Sequence, residues 1–111
     1  MGKLTYIVLT NPVPGKEAEF EEWYDTVHVA DMRRVPGVRS GRRFRLVPEA
    51  DQAVPCPWRS LAIYEWDVDD VAQARAALAR AGAAGETPLS PALSMGDIGH
   101  WFFVPVEDEP A

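Results

Sequence analysis

Three short segments of this chain carry apolar side chains at both strand parities. They are Leu4/Tyr6/Val8 against Ile7/Leu9, Leu61/Ile63 against Ala62/Tyr64/Trp66, and Phe102/Val104 against Trp101/Phe103. A sheet with water on one face alternates between apolar and polar residues. Strands that are apolar on both sides belong to a sheet covered on both faces. The chain is 111 residues long, enough for one good core and not for two. One domain spanning residues 1–111 is therefore expected.

The remaining elements follow from periodicity and punctuation. Residues 3–10 are β-branched and aromatic and read as a strand, broken by Pro12-Val13-Pro14-Gly15. Residues 16–35 read as a helix. Glu17, Glu19, Glu21 and Glu22 load its first turns, Arg33 and Arg34 its last, and Pro36-Gly37 stops it. Residues 38–47 alternate, with Val38, Ser40, Arg42, Phe44 and Leu46 on one side, as a second strand. A loop with three prolines over 48–57 leads to a third strand, 58–66. Asp67 or Asp69 is placed to cap a second helix over roughly 69–81. Its apolar face carries Val71, Ala74, Leu78 and Ala81, and Gly82 ends it. Residues 83–97 are Gly-, Ser- and Pro-rich, a loop length that is uncommon and often functional. A fourth strand covers 98–106, before the acidic tail Glu107-Asp108-Glu109.

The order is βαββαβ. Short right-handed connections make this an α+β ferredoxin-like fold: a four-stranded antiparallel sheet with two helices on one face. No element remains for the other face, so a homodimer is expected, with a second copy packed there about a two-fold axis.

Charge narrows the function. The chain has 17 acidic and 11 basic side chains, a formal charge of −6, which argues against a nucleic-acid footprint. No apolar run approaches the ~20 residues of a membrane helix. The stretch after Met1-Gly2-Lys3 is short, mixed with polar groups and without a small-residue cleavage pattern, so it does not read as a signal peptide. A single cysteine, Cys56, makes no internal disulfide, and a cytoplasmic protein is expected.

The first helix carries the chemistry. On a wheel of about 100° per residue with Phe20 at zero, Val27 falls at roughly −20°, Trp23 at −60°, Tyr24 at +40° and Val35 at +60°. Asp31 falls near +20°, inside this buried face, and His28 near +80°, at its edge. Tyr24, His28 and Asp31 thus form a polar stripe toward the sheet. A buried carboxylate without partners is costly. One offset is an ion pair with Arg34 or with the Arg-rich second strand (Arg39, Arg42, Arg43, Arg45). The other is a pocket in which Asp31 orients His28, His28 transfers a proton and Tyr24 donates to a substrate oxygen.

The segment Phe20-Glu21-Glu22-Trp23-Tyr24-Asp25-Thr26-Val27-His28-Val29-Ala30-Asp31-Met32, followed by Val35-Pro36-Gly37-Val38, resembles a known signature. It is similar to the dimeric α+β barrel superfamily, in particular its EthD-like and methylmuconolactone-isomerase-like members. The resemblance implies a homodimer with sheets packed back to back and a small-molecule pocket between helices and sheet. It implies His28 as the proton-handling histidine, Trp23 and Tyr24 as the aromatic pair and Asp31 as the acidic position. The superfamily holds cofactor-free cyclases, lactone isomerases and monooxygenases, and haem-dependent branches. Ala30 stands where the family usually carries Pro, which implies a helix running straight past His28.

The expectation is a cofactor-independent enzyme of cyclase, isomerase or dehydratase type, acting on a hydrophobic oxygenated substrate: aromatic, polyketide-like or lactone. His28, Asp31 and Tyr24 are the candidate catalytic residues, and Trp23, Val27, Phe44 and His100 the candidate substrate-binding ones. His100 is weighed as a second proton-transfer group against a hydrogen-bonded residue at the strand end. The alternatives are a non-catalytic dimeric binding or accessory protein, and a cofactor-free or haem-dependent monooxygenase. No cofactor is expected. No metal is expected either, because His28, Asp31 and His100 have no diagnostic ligand spacing.

Overall fold

β-branched and aromatic residues pair first with their distant equivalents. In a computed structural model that describes residues 3–108, β1 (Leu4–Thr10) pairs antiparallel with β3 (Ser60–Trp66) on one side and β4 (Gly99–Phe103) on the other. β2 (Val38–Arg45) pairs antiparallel with β3, giving the order β2-β3-β1-β4 of a ferredoxin-like sheet. Met1 and Gly2, and Glu109 of the acidic tail, lie outside the described residues.

One face of the sheet is the core. Leu4, Tyr6, Ala62, Tyr64 and Trp66 are buried there against Phe20, Tyr24, Val29 and Met32 of the first helical stretch and Ala74, Ala77 and Ala81 of α3 (Val71–Ala83). Small alanines let α3 lie close to the sheet. Its N-cap is Asp70, whose carboxylate accepts the Gln73 amide at 2.9 Å, in place of the expected Asp67 or Asp69. Gly82 lies inside the helix rather than ending it. The stop is a Schellman turn through Gly85 (φ +72°), with Glu86 N bonded to Ala81 O at 2.9 Å. Val71, expected inside, is exposed, and Ala77 takes its place.

The other face carries Ile7, Leu9, Leu61, Ile63, Trp101 and Phe103 by register. Among the described elements no helix lies over it, and Trp101 and Phe103 are 48% and 56% exposed. None of the described helices is long and apolar enough to cross a membrane.

The first helix departs from a regular wheel. It runs as α1 (Glu17–Trp23), a π-helical turn (Tyr24–His28) and α2 (Val29–Arg33), with helical dihedrals through both junctions. A π turn holds one residue more than an α turn, so everything after it lags by about 100°. That lag turns Val29 and Met32, outward on the regular wheel, into the core, where they are 6% and 5% exposed. It turns Val27 outward, 39% exposed. Two side-chain interactions accompany the turn. The Thr26 hydroxyl donates to Glu22 O at 2.6 Å, a contact that competes with the backbone ladder. Trp23 and His28 stack at 4.7 Å and 27°; five residues apart on an α-helix they would point about 140° away from each other.

A second irregularity lies in β2. A bulge between Val38 and Ser40 lets Val38 pack on the core while Arg42 and Phe44 face the open side. Gly37, at φ +103° between α2 and β2, has a backbone only glycine adopts easily, and a Cβ there would meet Val68 at 2.7 Å.

Candidate functional site

The π turn, β1 and β4 enclose a cavity of about 120 Å³ on the core face. The helical wall is Trp23, Tyr24 and His28, and β1 contributes Tyr6, Val8 and Thr10. Ile98 and His100 line it beside β1, and Leu89 and Leu93 come from the long loop. That loop is tied to the chain after β1: Pro12 bridges Leu93, Val13 N donates to Ala92 O at 2.7 Å, and Ser94 N donates to Asn11 O at 2.9 Å. The Gly-, Ser- and Pro-rich stretch is thus a fixed wall of the site.

His28 is the most unusual polar group here. Its ring is packed flat on Trp23 and edge-on to Tyr24 at 5.1 Å. Its Nδ1 is buried with no hydrogen-bond partner among the described residues. Burial pushes the His28 pKa down to about 4, against a smaller upward pull from the Asp31 charge. At neutral pH His28 is therefore an uncharged imidazole with proton-accepting capacity. A buried polar group left unpaired costs about 1–3 kcal/mol, which a ligand group can recover.

The facing wall is organised differently. The Tyr6 hydroxyl and His100 Nδ1 are 3.0 Å apart, because His100 pairs with Val8 and so lies diagonal to Tyr6 on one face. Tyr6 also stacks on Phe102 at 4.3 Å. Burial raises the Tyr6 pKa, moderated by Arg75. Burial also raises Tyr24, with the Tyr64 hydroxyl and Arg43 acting against it.

Of the predicted site residues, the structure brings together Trp23, Tyr24, His28 and His100. It places three elsewhere. Asp31 is buried, as the wheel places it, and is ion-paired to Arg34, one of the two offsets; it borders a separate open groove with Arg34, Val35 and Glu86 and not the cavity. Val27 is turned to the surface by the π turn. Phe44 lies on the opposite face of the sheet under Arg42, whose guanidinium sits 5.1 Å above its ring. Sequence reasoning missed Tyr6 and Thr10. The parity of β1 against His100 on its antiparallel neighbour was the available signal.

The basic strand has a structural role at Arg43. Its side chain is 9% exposed, ion-paired to Glu21 and Asp25 at 2.8 Å, bonded to Ser60 Oγ at 2.7 Å, and 4.4 Å over the Tyr24 ring. It holds the Tyr24 ring in place through that contact. No group of three His, Cys, Asp or Glu among the described residues is arranged to hold a metal ion.

The chain shares this fold with several solved proteins. SnoaB, a cofactor-independent oxygenase from Streptomyces nogalater, is 26% identical with a TM-score of 0.63, covering 95% of this chain and 94% of SnoaB. The haem degrader MhuD from Mycobacterium tuberculosis, solved with two haems in its active site, is 18% identical with a TM-score of 0.63, covering 96% and 99%. An ethyl tert-butyl ether degradation (EthD) family protein from Bacillus halodurans is 14% identical with a TM-score of 0.56, covering 93% and 99%. These neighbours match the superfamily that the helix signature resembles. No protein-family model matches the chain, and no curated protein matches it by sequence.

Proposed function

We propose that this protein is a cofactor-independent enzyme that moves a proton on a hydrophobic, oxygenated small molecule, with His28 as the base. The observation that carries this is a neutral, partly unpaired imidazole lining an apolar cavity. A base in such surroundings works by forming an ion pair. Imidazolium alone is costly there, but beside a newly formed enolate or phenolate it is stabilised by the opposite charge. Asp31 assists through its field, not by contact. Tyr24 and Trp23 fix the imidazole plane, and the rings around it suit an aromatic, polyketide-like or lactone substrate. The cavity takes the reacting ring, with Leu89, 51% exposed, at its rim.

Cyclisation, isomerisation and dehydration all begin with this abstraction. So does a second reading, oxygenation, which the likeness to SnoaB favours: an electron-rich anion reacts directly with O2. A cavity of about 120 Å³ takes one ring, with the rest of a larger substrate lying past its rim, and it does not enclose a porphyrin.

Proton NMR in D2O tests the base. The wild type is expected to catalyse deuterium exchange into small enolisable ketones, and His28→Ala to lose about 100-fold or more of that rate with the fold intact. Exchange that survives the substitution removes His28 from the reaction. Oxygen uptake with a dihydroxynaphthalene separates the oxygenase reading.

The same reading includes a homodimer through the open sheet face, where Trp101 and Phe103 are exposed. Sedimentation of the wild type should give the mass of two chains and of Trp101→Glu the mass of one. A monomeric wild type rules the dimer out. The lone free thiol of Cys56 suits a reducing, cytoplasmic setting.

A further inference from the structure

The Tyr6–His100 pair lines the cavity on the sheet wall, opposite the helix that carries His28. The two walls differ in access to water. Tyr6 is 7% exposed, whereas His100 is exposed at the edge strand. A buried hydroxyl in contact with a solvent-facing imidazole is the arrangement of a proton relay. We propose that Tyr6 is a second catalytic residue, a general acid that returns a proton to the substrate on the face away from His28, with His100 resupplying it from solvent. The reaction class this selects is the 1,3-shift of a proton in an unsaturated ketone or lactone.

This rests on the assignment of His28 as the base, and the step balances as follows. His28 takes a proton from the carbon beside the carbonyl, and the C–H electron pair forms a dienolate. The Tyr6 O–H bond breaks as its proton goes to the distal carbon, forming the new C–H bond. The Tyr6 oxygen takes the Nδ1 proton of a protonated His100. His28 then releases one proton to solvent and His100 takes one up, with no net oxidation.

The surroundings of Tyr6 favour a relay over a free tyrosinate. Burial holds its hydroxyl protonated, so the proton must arrive as the other leaves. The ionisable groups acting on Tyr6 are His100 from β4, Arg75 from α3 and Tyr24 from the π turn. Arg75 stands 5.1 Å over the Phe102 ring against which Tyr6 stacks, and it favours passing negative charge on the Tyr6 oxygen.

The test uses 3-cyclohexen-1-one, whose shift to the conjugated 2-enone is read by ultraviolet absorbance. Deuterium exchange beside its carbonyl is read by NMR. The wild type should catalyse both. His28→Ala should lose both. Tyr6→Phe keeps the ring that stacks on Phe102, so circular dichroism should be unchanged. It should lose about 100-fold of the isomerisation and far less of the exchange, because His28 itself returns a deuteron to the nearer carbon. His100→Gln should match Tyr6→Phe, and the double variant should be no slower than either, as expected of two groups acting as one unit. Isomerisation at the wild-type rate in Tyr6→Phe overturns the relay while leaving His28 in place, and so does an equal loss of exchange and isomerisation. A wild type that neither exchanges nor isomerises overturns the assignment of the base and the relay with it.

Discussion

Arg43 and His28 both pack on the Tyr24 ring, and their surroundings are opposites. Arg43 lies over Tyr24 with both terminal nitrogens engaged, by two carboxylates and a serine hydroxyl, leaving only its Nε without a partner. His28 meets Tyr24 edge-on, and nothing among the described residues completes its hydrogen bonding at Nδ1. Both are costly groups to bury. One is compensated within the fold and therefore reads as support. The other is left incomplete beside a cavity, where only a bound molecule can complete it.

Removing the support should do the most damage. Arg43→Met leaves Glu21 with Arg45 alone, leaves Asp25 to solvent and loosens Tyr24. Urea denaturation at pH 7 should show a loss of about 3 kcal/mol, because a buried guanidinium gives up its hydrogen bonds to Glu21, Asp25 and Ser60. A loss below about 1 kcal/mol would place Arg43 with ordinary surface pairs and weaken the contrast.

Acid should separate the two regions by their windows. His28 is held neutral in the folded chain, near pKa 4, while the unfolded chain takes up its proton near 6.5. Stability from this group is whole above pH 6.5 and falls as pH drops toward 4, by about 2–3 kcal/mol. Glu21 is desolvated, but its bonds to Arg43 and Arg45 prevail and hold its pKa below the usual 4.5. Its contribution is whole above that value and disappears only at lower pH. His28→Phe should abolish the upper limb of the stability profile and leave the lower one. An unchanged upper limb would mean that His28 is not the buried neutral group described here.

The smallest effect is expected at Asp31. Its side chain is only 10% exposed, but its partner Arg34 is 70% exposed and Asn removes the charge that burial penalises, so Asp31→Asn should cost about 1 kcal/mol or less. It should still lower the His28 pKa further, since the Asp31 charge is what pulls it up. Histidine NMR titration measures that shift, and its absence would disconnect Asp31 from the site.

The sequence made the elements and their order legible because strand parity and helix punctuation are local. It made Trp23 and Tyr24 legible because they precede the lag of the π turn, and His28 because the helix signature marks its position. Val27 was misplaced because a wheel assumes a constant angle per residue, and the extra residue of the π turn has no compositional mark; Asp31 is buried and paired to Arg34 as the sequence allowed, but it does not line the cavity. Phe44 was misplaced because parity alone does not say which face of a strand meets the helices, and the Val38/Ser40 bulge lets Val38 pack on the core while Phe44 faces away. Tyr6 was hidden in plain apolar alternation, since its partner His100 lies 94 residues away and joins it only through sheet register.

The π turn also means that the site depends on the number of residues as well as their identity. Deleting one residue from Tyr24–His28, for instance Thr26, restores an ordinary α-helical count without touching Trp23, Tyr24 or His28. The second half of the helix would then have to unscrew Val29 and Met32 from the core or drag α2 out of line with β2. A single codon's length, rather than any side chain, is what keeps one helix serving both the cavity and the core.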